Sequence, residues 1–149
     1  MCRVSGQGVR VTMGQETPRE VAAGETVSRR ILVTDDDVDG AETLAIVLRM
    51  AGHEVQIASD GPSTLKLAAD FRPDVVFLDV GMPGMDGFET ARQLRQSVGL
   101  HNTLLVALTG YGREQDRQRS VEAGFDHFLV KPAPAKLLSD LAIQARPAR

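Results

Sequence analysis

The chain has 149 residues, a formal net charge of -3, 42% hydrophobic and 25% charged residues, one cysteine and no tryptophan. That is about one domain of ordinary globular composition, long enough to bury roughly two-thirds of its unfolded surface, and it excludes global disorder. The mild acidity speaks against direct nucleic-acid binding, no apolar run approaches the ~18–20 residues of a membrane span, and Cys2 alone builds neither an internal disulfide nor a Cys-rich metal site.

Residues 1–29 carry four Arg against three Glu, so net +1, and the remaining 120 residues carry net -4. The first stretch is rich in Gly, Ser, Thr and Glu without a sustained period, and reads as a flexible leader or linker. It lacks the charged, apolar and small-residue succession of a secretory signal, so a reducing, cytoplasmic setting is expected. From Arg30 the pattern becomes regular. Ile31–Thr34 is a short apolar, β-branched run and predicts a buried strand. Leu44, Val47, Leu48 and Ala51 recur at helical spacing, with Gly52 where a helix ends. Glu54–Ala58 alternates as a second strand, and Pro62 opens a helix with Leu65, Ala68 and Ala69 on one face. Asp74–Leu78 is a third strand, followed by a helix that Asp86 and Glu89 open as a capping-box-like pair. Thr103–Leu108 is a fourth strand, residues 113–123 a polar helix stopped by Gly124, His127–Val130 a fifth strand, and Leu138, Leu141, Ala142 and Ala145 mark a last helix.

Five continuous apolar strands alternating with five helices predict an α/β fold with a parallel sheet covered on both faces. In such sheets ligands bind outside the carboxyl ends of the strands. Asp35, Asp36 and Asp37 follow the first strand, Asp79 the third, Thr109 ends the fourth, and Lys131 with Pro132 follows the fifth. Asp37 and Asp39 are both candidates for the N-cap of the first helix. Capping explains Asp79 poorly, because a Gly-Met-Pro-Gly-Met loop follows it rather than a helix. Clustered carboxylates raise one another's pKa unless a cation is present, and a divalent ion with oxygen ligands removes that cost. Mg²⁺ (or Mn²⁺) suits one or two carboxylates with waters and a phosphoryl oxygen. Lys131 and Thr109 then supply charge and a hydrogen bond to a phosphoryl group, and a carboxylate is a competent phosphoryl acceptor. The residues by themselves describe a Mg²⁺-dependent aspartyl-phosphate site.

Ile-Leu-Val-Thr-Asp-Asp-Asp at 31–37, Asp-Val-Val-Phe-Leu-Asp-Val-Gly-Met-Pro-Gly-Met-Asp-Gly at 74–87, Ala-Leu-Thr-Gly at 107–110 and Phe-Leu-Val-Lys-Pro at 128–132 stand in order, each on a strand end. In these stretches residues 30–146 resemble the receiver domain of two-component response regulators, both stand-alone receivers and those of hybrid sensor histidine kinases. The resemblance implies a three-layer, flavodoxin-like, doubly wound (βα)5 fold with strand order 2-1-3-4-5. It implies Asp79 as phosphoacceptor, Asp36 as a direct Mg²⁺ ligand, Asp35 acting mainly through metal-bound water, and the Gly81 carbonyl completing the protein ligands. Thr109 would hydrogen-bond the phosphoryl group, Lys131 would pair first with the acceptor and then with the phosphoryl, and Lys131–Pro132 would be a cis peptide. Phe128, three before the lysine, matches the family's switch aromatic, against the plainer reading of a core strand residue. The implied donor is a sensor histidine kinase or histidine phosphotransfer domain, and the implied output is protein–protein contact, with neither nucleic acid nor membrane bound directly.

Three positions depart from the commonest pattern. Asp37 adds a third acid, which makes the empty site more strained. Gly81 has no side chain to orient an attacking water, and Tyr111 could shield the phosphoryl, so a long-lived phosphoryl group is expected. Three other motifs compete. Asp35-x-Asp37-x-Asp39-Gly40 begins like a calcium loop, but its twelfth position is Ile46 where a bidentate Glu is required. Asp37-Val38-Asp39-Gly40 resembles the nucleophile motif of haloacid-dehalogenase-type phosphatases, the serious enzyme alternative, yet after Lys131 only Asp140 remains of the further acids those enzymes need. A flavin module is disfavoured, because carboxylates at the crevice would repel the FMN phosphate.

Overall fold

The computed structural model describes residues 27–81, 86–110, 112 and 114–145. The leader up to residue 26 and Tyr111 lie outside the described residues. Ten elements alternate along the chain: β1 (Arg30–Thr34), α1 (Val38–Met50), β2 (Glu54–Ala58), α2 (Gly61–Phe71), β3 (Val75–Asp79), α3 (Gly87–Gln96), β4 (Leu104–Thr109), α4 (Glu114–Ala123), β5 (His127–Val130) and α5 (Ala135–Gln144). All strand pairs are parallel, in the order β2-β1-β3-β4-β5. Fold class and strand order are those the sequence implied.

The period of two along each strand divides the core into two layers. Val76 and Leu78 face one side, where they pack with Leu32, Leu94, Phe125 and Phe128. Val75 and Phe77 face the other, with Ile31, Val33, Leu48, Val106 and Leu138. β3 is central and wholly buried, which is why its sequence is apolar throughout rather than alternating.

The helix ends follow local chemistry with three departures from the sequence reading. Asp60 caps α2 by accepting from the Ser63 amide at 2.8 Å. Asp86 caps α3 through the Glu89 amide at 2.9 Å, but the Glu89 carboxylate turns to Arg92 and Gln93 instead of closing a reciprocal box. Asp37 holds the N-cap position of α1 without a side-chain cap bond, and Asp39 lies in the first turn. α2 ends on Arg72 in the left-handed region (φ 51°), where no glycine signals it, whereas Gly52 and Gly124 take positive φ as the sequence suggests.

Arg95 on α3 ties the far edge together. Its guanidinium donates to the carbonyls of Leu100, Thr103 and Gly124 and to Asp126, joining the loops on either side of β4.

Candidate functional site

Because every strand runs the same way, the residues that leave the sheet collect at one edge. Backbone bonds continue the ladder past the strand ends: Asp35 N–H donates to Ala58 at 3.2 Å, Val80 N–H to Leu108 at 3.0 Å, and Lys131 N–H to Thr109 at 2.7 Å. These bonds fix the main chain next to Asp36, Asp79 and Lys131, so the side chains project from a rigid base. The Lys131–Pro132 peptide is cis.

Asp35, Asp36 and Asp79 each bring a carboxylate oxygen within 4.8 Å of the others. The Lys131 ammonium donates to Asp35 at 3.0 Å and to Asp79 at 3.2 Å. Gly81 N–H donates to the other Asp79 oxygen at 2.9 Å. Asp79 is 8% exposed. Burial pushes its carboxyl above the ordinary range and the Asp35 charge adds to that, while the Gly81 amide and Lys131 pull against it without prevailing. For Lys131, burial alone would depress the ammonium, but the Asp35 hydrogen bond and the Asp79 and Asp35 charges outweigh it and hold the group above its usual value.

Asp37 stands apart from the three clustered acids. Its amide donates to Asp35 at 2.9 Å, and its side chain lines an open cleft of about 520 Å³ that Asp35, Lys131, Val47 and Leu138 also line. Thr109 is buried at the end of β4, one residue beyond Leu108, which pairs with Asp79. Phe128 is buried on β5 opposite Ala107, and the Arg117 guanidinium covers its ring at 4.9 Å.

The Asp35–Lys131 pair was absent from the sequence reading, which joined the lysine to Asp79 alone. Nor does any spacing announce Arg117, since a charged residue on a polar helix carries no signal of where its side chain lands. The donor set is oxygen only, from three carboxylates around one point, and that hard, anionic set fits a Mg²⁺-type cation rather than a soft one. Among the described residues no helix is long and apolar enough to cross a membrane.

Comparison with known proteins places this geometry. The family model of the response regulator receiver domain matches residues 31–142. The DNA-binding response regulator MtrA of Mycobacterium tuberculosis is 39% identical over 114 residues, which cover 76% of this chain and 49% of MtrA. The chain thus spans about half the length of that relative. Among solved structures, the chemotaxis protein CheY4 of Vibrio cholerae superposes with a TM-score of 0.71 at 33% identity, covering 75% of this chain and 94% of CheY4. A response regulator protein of Burkholderia pseudomallei, solved with a phosphorylated aspartic acid, a calcium ion and citrate, gives a TM-score of 0.71 at 28% identity, covering 78% of this chain and 66% of that one. With the strand order, the acids at the strand ends and a family match across most of the described residues, the chain belongs to the response regulator receiver domain family.

Proposed function

We propose that residues 30–149 act as a stoichiometric phosphoacceptor, with residues 1–29 as leader or linker, rather than as an enzyme that turns over a substrate. The observation that carries this reading is the buried Asp79 carboxylate, sharing one ammonium with Asp35 inside a three-acid cluster at the strand ends. The aspartyl phosphate named for the Burkholderia relative supports the same chemistry.

The donor is a phosphohistidine on a sensor histidine kinase or histidine phosphotransfer domain in the cytoplasm. An Asp79 oxygen attacks phosphorus in line, the new O–P bond forms, and the N–P bond breaks with its electron pair leaving on the imidazole. Asp35, Asp36, Asp79 and the Gly81 carbonyl hold Mg²⁺ or Mn²⁺, whose positive charge, when bound, offsets that of the phosphoryl oxygens. Lys131 transfers one of its hydrogen bonds from Asp79 to a phosphoryl oxygen. Thr109 donates its hydroxyl to another, and Phe128 repacks with it. The added charge biases a two-state surface that downstream proteins read. Gly81, which places no side chain near the acyl phosphate, and Tyr111 favour a long-lived phosphoryl group.

The test is incubation with acetyl phosphate and Mg²⁺ followed by intact-mass analysis. One phosphoryl increment per chain, lost in Asp79→Asn with its fold retained, is the expected result. Labelling that survives the substitution, or continuous release of phosphate over many cycles, would refute the assignment.

A further inference from the structure

α4 is attached to the domain in a different way from the other helices. It buries only Ser120 and Ala123, where α3 buries five residues including Phe88 and Leu94. Its one large apolar residue, Val121, is 69% exposed. Hydrophobic stabilisation scales with apolar area removed from water, so a serine and an alanine anchor the helix weakly. Two guanidinium groups add to this attachment. Arg117 lies 4.9 Å from the centre of the Phe128 ring on β5, and Arg119 lies 4.1 Å from the centre of the Phe88 ring on α3. Both distances are inside the ~6 Å range of cation–π attraction. Arg119 also reaches the Asp86 carboxylate at 3.5 Å.

We propose that Arg117 and Arg119 form a two-armed clasp that holds α4 on the domain and makes its attachment respond to the phosphoacceptor site. The placement of the grips carries this. Phe128 precedes Lys131 by three residues on the same strand run, and the Lys131 ammonium bridges Asp35 and Asp79. Asp86 and Phe88 open α3, the first helix after Asp79. Phe88 meets Phe125 edge to face at 6.4 Å, and both rings share one core layer with Phe128, so the two grips are mechanically continuous. A phosphoryl group on Asp79 turns a carboxylate of one negative charge into an acyl phosphate carrying up to about two, adds three oxygens, and redirects the Lys131 ammonium. That pull shifts the start of α3 and the end of β5 relative to α4, the guanidinium groups slide off the ring faces, and the helix loosens. The attachment stands on the contacts alone. Its response to phosphorylation rests on the phosphoacceptor reading above.

Hydrogen exchange of the α4 amides in the full chain tests the clasp. In the unphosphorylated protein, Arg117→Ala speeds α4 exchange by about 2- to 5-fold and Arg117→Ala/Arg119→Ala by about 5- to 30-fold, with β1 and β3 unchanged. Arg117→Lys, which keeps the charge but loses the planar stack, falls between wild type and alanine. In a Phe128→Leu background Arg117→Ala adds nothing, because the ring it would uncover is gone. Acetyl phosphate with Mg²⁺ speeds α4 exchange in wild type but not further in the double variant, although both gain the same phosphoryl mass. Unchanged α4 exchange in the double variant, or an undiminished Arg117→Ala effect without the ring, overturns the clasp. Phosphorylated wild type with unchanged α4 exchange overturns the coupling. A chain that takes no phosphoryl on Asp79 overturns the phosphoacceptor reading and leaves the attachment result to stand by itself.

Discussion

Two helical glycines have a close neighbour where a Cβ would go, and they should respond in opposite ways. A Cβ on Gly87, the first residue of α3, would meet the Val80 Cα at 2.5 Å and the Asp79 carbonyl oxygen at 2.8 Å. Both atoms are backbone at the end of the central strand, so relief requires moving α3 or the main chain that carries Asp79. Such overpacking costs about 1–3 kcal/mol, or roughly 2–12 °C in Tm for a chain of this size. A Cβ on Gly40, in the first turns of α1, would meet the Asp37 Oδ2 at 2.8 Å, but that atom is the tip of an exposed side chain with room to rotate. Gly40→Ala therefore keeps the helical gain of about 0.5–1 kcal/mol, a rise of roughly 1–4 °C. Thermal unfolding of the two variants measures the sign directly, and the rate of labelling by acetyl phosphate should fall in Gly87→Ala, whose clash bears on the carbonyl of Asp79, the proposed acceptor. If Gly87→Ala unfolds at or above the wild-type temperature, the claim that α3 is packed directly against the main chain of Asp79 and Val80 is wrong.

Lys131→Met removes the one cation shared by two largely buried carboxylates. Discounting the usual 3–5 kcal/mol for breaking a buried pair, because Lys131 is a third exposed, leaves a loss of about 2 kcal/mol at pH 7.5. The Asp79 carboxyl, already raised by burial, rises further, so its protonated form favours the folded state and the deficit shrinks as pH falls toward 5. A urea-unfolding gap that is the same at both pH values would contradict this. His53 behaves oppositely. Its Nδ1 accepts the Arg29 amide at 3.1 Å, and its Nε2 is buried without a partner among the described residues. Burial first, and the Arg29 charge second, depress its pKa. A depressed folded pKa stabilises fully above the unfolded value of 6.5 and loses that contribution as pH falls through the folded value, with a slope of at most about 1.4 kcal/mol per pH unit for one proton. His53→Gln should flatten the stability profile between pH 7 and 5, and an unaltered slope would assign the pH dependence to other groups.

The parts of this molecule that follow from period and strand ends were readable in the residues. Val75–Leu78 is apolar at every position because both its faces are covered, and that alone sets a parallel sheet and sends Asp79 to its edge. The exit of every strand toward one edge then gathers Asp35, Asp36, Thr109 and Lys131 without further information. What the residues did not disclose depends on side-chain trajectories. Asp37 is adjacent in sequence to the site acids yet lines the neighbouring cleft, from the extended N-cap position just before α1. Lys131 reaches Asp35 as well as Asp79, a consequence of β1 and β3 being neighbours with their ends level. Arg72 closes α2 in a left-handed conformation usually reserved for glycine, and Arg117 covers Phe128 across an interface that no sequence spacing connects.

The charge balance of the site explains why a divalent cation and a phosphoryl group would belong together there. Counted at formal charge, the three carboxylates of Asp35, Asp36 and Asp79 exceed the Lys131 ammonium by two negative charges, with carboxylate oxygens within 4.8 Å of one another. An acyl phosphate at Asp79 would carry up to about two negative charges where the carboxylate carried one, adding about one more. At an effective dielectric constant near 20, each unit like-charge pair at ~4 Å costs about 4 kcal/mol, so transfer onto Asp79 against that field would be slow and the product unstable. Lys131 cannot cancel it alone, since its backbone is pinned by the Thr109 carbonyl and its side chain already serves two carboxylates. A divalent cation held by these acids would offset their charge and that of an incoming phosphoryl group. Under the proposed phosphoacceptor reading, the same lysine, freed from part of its load, would carry the change at Asp79 toward Phe128 and the helix clasped above it.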